Sequence, residues 1–109
     1  RHRGGQSAEQ YMSELAPAIE RAAASGAAFI VVSDVPDLDG VLPDVSAETD
    51  ARETEAINSA LLAKYPDNYL DMVTPLNDPK LRTDGLHLSP SGEAAVARAI
   101  ADYIIAKGL

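Results

Sequence analysis

The run Ala27-Ala28-Phe29-Ile30-Val31-Val32 constrains this chain more than any other stretch. It is continuously apolar, ends in β-branched residues and is bounded by Gly26 and Ser33-Asp34. Six residues are too few for a core helix, so the run reads as a strand buried on both faces. Strands of that kind belong to parallel sheets covered by helices, and parallel strands need crossover connections. Helical periodicity lies on either side of it. Ser7 and Gln10 fit a capping box, with Glu9 near the positive end of the helix dipole. Tyr11, Met12, Leu15, Ile19, Ala22 and Ala23 then recur at helical spacing, Pro17 interrupts them, and Gly26 is the stop.

A loop over 34–48, with Pro36, Gly40 and Pro43, leads to a second helix from about Asp50 to Lys64. There Ala56, Ile57, Ala60, Leu61 and Lys64 follow the helical period, and Pro66 ends it. Tyr69 to Val73 reads as a short second strand, and Thr74 to Leu86 as another loop with Pro75 and Pro79. The last helix starts at Pro90 with Ser89 as its cap and turns Val96, Ile100, Tyr103 and Ile104 inward. Gly108 closes it. The order is α/β alternation and predicts a parallel sheet. Two strands make a poor sheet, which implies further strands from chain outside Arg1–Leu109.

The 109 residues suffice for one small core, and the apolar fraction of 46% is that of a globular protein. No apolar run approaches the roughly 18 residues of a membrane span. There are no cysteines, which excludes disulfides, thiolate metal sites and cysteine nucleophiles. A net charge of −8, much of it between Asp34 and Glu55, argues against nucleic acid and anionic lipid as partners. Its simplest reading is solvation of a long loop.

The chemistry concentrates in Asp84-Gly85-Leu86-His87-Leu88-Ser89-Pro90-Ser91-Gly92. An acid three residues before a histidine, in a turn ahead of a helix, can reach the histidine Nδ1. The carboxylate then fixes the tautomer while Nε2 takes a proton from a nucleophile. A helix-capping turn with a local Asp–His hydrogen bond is the plainer alternative.

This block resembles the last motif of the SGNH (GDSL-type) esterase and lipase family: Asp-x-x-His, then a Ser, then a Gly on the final helix. The preceding order of elements is similar to the C-terminal portion of that family's domain. The resemblance implies a three-layer α/β/α sandwich with a parallel sheet, of which residues 1–109 would be the C-terminal part. It implies a serine esterase in which Asp84 and His87 complete a Ser-His-Asp triad, acting on a small-molecule, carbohydrate or lipid ester without cofactor or metal. The family's Gly-Asp-Ser turn and its Gly-x-Asn oxyanion block have no counterpart among the 109 residues. The nucleophile is therefore expected from an N-terminal part of the same domain. A non-catalytic α/β binding module, or one chain of a two-chain assembly, are the alternatives.

Other polar residues carry less. Ser33 ends a strand but is followed by Val35-Pro36 rather than by the helix of a nucleophile elbow. Asp37-Leu38-Asp39-Gly40 has part of an EF-hand loop, but Val35 and Ser46 fall on its first and last ligand positions. A loose calcium site among Asp34, Asp37, Asp39 and Asp44 is the remnant of that reading. Asp71 reads as a structural strand acid, and His2 as the one further histidine available to a metal.

Overall fold

The computed structural model describes residues 1–38, 40–41 and 45–109. The elements in chain order are α1 (Ala8–Ala24), β1 (Val31–Val32), α2 (Ala47–Lys64), β2 (Tyr69–Leu70), a 3-10 turn (Pro79–Leu81) and α3 (Pro90–Lys107). β1 and β2 pair in parallel, Val31 opposite Tyr69 and Val32 opposite Leu70. They form a sheet of two strands.

The expected three-layer sandwich is not what the chain adopts. The described residues are mostly helical, with three α-helices around one two-stranded parallel sheet. The reason is visible at the strand. Backbone pairing needs a neighbour on each side, and among the described residues β1 has one only along β2, where Val31 and Ser33 donate to Asn68 O (2.8 Å) and Leu70 O (3.0 Å). Of the six-residue apolar run, only Val31 is deeply buried, and Val32 is 38% exposed. The second strand is cut to Tyr69–Leu70 because Asp71 bends the chain, accepting from the backbone N–H of Val73 (2.9 Å) and Thr74 (3.4 Å).

Local signals set the helix ends. Ser7 and Gln10 cap α1 reciprocally, and Pro17 sits within that helix. Ser46 caps α2, accepting from Thr49 N at 3.2 Å, so this helix begins at Ala47, three residues before the start read from periodicity. α3 starts at Pro90 under Ser89 and closes at Gly108 in a left-handed conformation (φ 69°).

Val31, Ile57 and Leu61 form the core, with Tyr11, Met12, Leu15 and Phe29 packed against them. The core thus lies between α1, α2 and β1. α3 contributes only Gly92 to the fully buried set and docks on the 3-10 turn.

Candidate functional site: the Asp84–His87 turn and the buried His2 cluster

Residues 81–89 fold back on themselves just before α3. Arg82 and Leu88 form an antiparallel bridge. Thr83 N donates to His87 O (2.8 Å) and Ser89 N to Leu81 O (2.9 Å). Gly85 supplies the positive φ (83°) that reverses the chain. Gly92, in the first turn of α3, lies so close to this base that a Cβ there would stand 2.0 Å from Leu81 O.

At the tip, the structure brings Asp84 and His87 together. His87 Nδ1 is 2.8 Å from Asp84 Oδ2. The other carboxylate oxygen, Oδ1, accepts from the backbone N–H of Leu86 (2.9 Å) and His87 (2.8 Å). Those bonds hold the Asp84 carboxyl well below the usual carboxylate range: the His87 amide contributes most, then the His87 ring, then the Leu86 amide. An ionised carboxylate only accepts, so the Nδ1 proton lies between them and a neutral ring presents its lone pair at Nε2. The His87 side chain is 73% exposed, and Nε2 makes no hydrogen bond among the described residues. The turn can therefore take a proton from a group brought to it and steady the resulting imidazolium.

The alternative nucleophile, Ser33, gains nothing from the structure. Ser33 is buried, and its Oγ accepts from Met72 N at 2.8 Å, joining β1 to the segment after β2. Asp71 caps a turn. Of the loose calcium set, Asp39 and Asp44 lie outside the described residues, and Asp34 is engaged elsewhere. A cleft of about 440 Å³ is lined by Pro36, Thr54, Asn58, Tyr69, Asp71 and Thr74, and neither Asp84 nor His87 borders it.

A second polar cluster was not legible as such in the sequence. His2 is buried, with Nδ1 hydrogen-bonded to Asp34 and Nε2 3.2 Å from Asp50 and 3.4 Å from Glu53. Asp34 also accepts from His2 N (2.7 Å) and Thr54 Oγ1 (3.2 Å), while its backbone pairs both ways with the Asn58 amide. Arg1 grips both oxygens of Asp50, and Asp37 N donates to Asp50 at 2.7 Å. Burial would raise the Asp50 carboxyl; the Arg1 fork, the Asp37 amide and the charges of Arg1 and His2 outweigh it and draw it down.

His2, Asp50 and Glu53 offer three ligand atoms within 4.8 Å of one another. With Asp50 already held by Arg1 and Asp37, the cluster works as a clasp between the N-terminal segment, the loop after β1 and α2. The sequence did hold one signal for it. An acid such as Asp34, at the buried end of a strand, must find partners.

No family model, no curated protein and no solved structure matches the chain. Among the described residues, no helix is long and apolar enough to cross a membrane.

Proposed function

We propose that this chain carries the acid and base of an SGNH-type serine esterase, with Asp84 orienting His87 and the nucleophilic serine supplied by chain outside Arg1–Leu109. The observation that carries the reading is the Asp84–His87 contact, with Nδ1 held at 2.8 Å and Nε2 left open. The serine hydroxyl would lose its proton to His87 Nε2 as it attacks the ester carbonyl. The imidazolium, stabilised by Asp84, would then protonate the leaving alcohol. Water, activated by the same nitrogen, would release the acid and restore the serine. Ester substrates are small molecules, sugars or lipids carrying an acyl group. The partner of this chain is the N-terminal part of the same domain.

Turnover of a short-chain aryl ester by the intact protein tests the reading. His87→Ala is expected to cost on the order of 10⁴ to 10⁶ in kcat, and Asp84→Asn as much or less. A fluorophosphonate probe is expected to label a serine outside Arg1–Leu109. A folded His87→Ala protein that keeps more than about a tenth of the wild-type rate removes His87 as the base and favours a binding module. An adduct on Ser33 would place the nucleophile within the chain and overturn the reading of where it lies.

A further inference from the structure

Arg82 is 5% exposed, yet no carboxylate hydrogen-bonds to it among the described residues. Its hydrogen-bond partners among the described residues are four backbone carbonyls, and the charge of Asp37 also acts on it. Nε donates to Leu76 O (3.2 Å), and Nη1 lies within 3.2 Å of Pro36 O, 3.2 Å of Gly85 O and 3.3 Å of Leu86 O. Nη2 is buried without a partner among the described residues. A buried cation with incomplete partners is a poor device for stability, since an apolar side chain of similar volume often serves as well or better. Its use must be sought in what it holds.

Gly85 and Leu86 are the two spacer residues of Asp84-x-x-His87. In a trans peptide the C=O and the following N–H point in opposite directions. A cation that draws the Gly85 and Leu86 oxygens to one side therefore turns the N–H groups of Leu86 and His87 to the other. Those two N–H groups are the ones that donate to Asp84 Oδ1. The two peptide units lie between donors at their oxygen ends, the guanidinium on both and Leu38 N on Gly85 O (2.8 Å), and a carboxylate at their N–H ends, an order in which each bond polarises the next. Pro36 O and Leu76 O, from the segments after β1 and β2, fix the guanidinium to the rest of the fold.

We infer that Arg82 is the positioning residue of the Asp84–His87 pair, holding the two spacer peptides so that their N–H groups fasten the Asp84 carboxylate against His87. This rests on the hydrolase reading for its catalytic consequence, but not for its structural one. The test compares Arg82→Met and Arg82→Lys with wild type in the intact protein, by steady-state kinetics on an aryl ester and by amide hydrogen exchange. In Arg82→Met, kcat is expected to fall about 100-fold, the scale of a roughly 1 Å misplacement of a reacting group, with KM little changed. The Leu86 and His87 amides should exchange faster while those of α2 keep their protection.

Lysine keeps the charge and the fold but loses the planar fork, so Arg82→Lys should fall between the two. It decides the matter should Arg82→Met not fold. Wild-type protection of the Leu86 and His87 amides in either folded variant overturns the proposal. So does an equal loss of protection in α2, which would make Arg82 a general stabiliser. If His87→Ala leaves turnover intact, the hydrolase reading fails alone, and the exchange of these two amides still decides the role of Arg82.

Discussion

Asp84 is exposed yet held by three hydrogen bonds, and its acidity is a readable consequence. Three donors favour its ionised form, so its folded-state pKa lies below the ordinary aspartate value of about 3.9. Stability linked to this group is complete above the unfolded value. It declines as pH falls from there and is gone once pH passes below the folded value. At about pH 3, where an ordinary aspartate is mostly protonated, the ¹³C carboxyl shift of Asp84 should still be that of the anion. Leu86 and His87 amide shifts should move only with it. A midpoint near 3.9 would show that the bonds to Oδ1 do not persist in solution. The Asp-x-x-His spacing sufficed to find this pair, because the interaction spans one turn. Arg82 was invisible to the same reasoning. An arginine among loop residues looks solvated, and only the fold shows that four carbonyls converge on it.

Between elements, the decisive contact is that of α3 with the turn before it. Ser89 and Pro90 mark the helix start in the sequence, and Ser89 does accept from Gly92 N (3.1 Å) while donating to Lys80 O (3.0 Å). Gly92 has a steric role that spacing alone does not explain. Because a Cβ would stand 2.0 Å from Leu81 O, backbone against backbone, no side-chain motion can relieve the clash. Gly92→Ala should therefore destabilise the protein by about 1–3 kcal/mol, the usual range for overpacking, despite alanine's better helix propensity. Thermal or urea unfolding of the variant checks it, and an unchanged or raised midpoint would mean that α3 does not rest on Leu81.

Helix caps were legible at Ser7 and Ser89 because capping is local. From periodicity the start of α2 reads three residues late, at Asp50, which does lie in the first turn of that helix and is buried in the Arg1–His2 clasp. The strands were overestimated for a physical reason. An apolar run says that a strand wants two covered faces; it does not say that neighbours exist to pair with it.

At the scale of the whole molecule, apolar surface remains uncovered. Val32, Leu62, Ile104, Ile105 and Leu109 are all more than a third exposed, and α1 has no fully buried residue. Residues 1–109 expressed alone should accordingly unfold broadly or self-associate rather than melt sharply as a monomer. Calorimetry with sedimentation analysis would decide, and a sharp monomeric transition would show that the two-stranded core suffices. Whatever covers those surfaces, the pair at the tip of the turn has a separate standing. Asp84 and His87 are three residues apart and closed by their own backbone, so closing this loop requires no distant segment to arrive first. The acid and the base travel as one cartridge. Motions that carry the turn together with Arg82 and its anchoring carbonyls change where His87 points its free nitrogen, not how Asp84 holds it. Differences in rate among variants that leave Arg82 and its anchors in place should then report delivery of the intact pair to its nucleophile, with the hydrogen bond inside it unaltered.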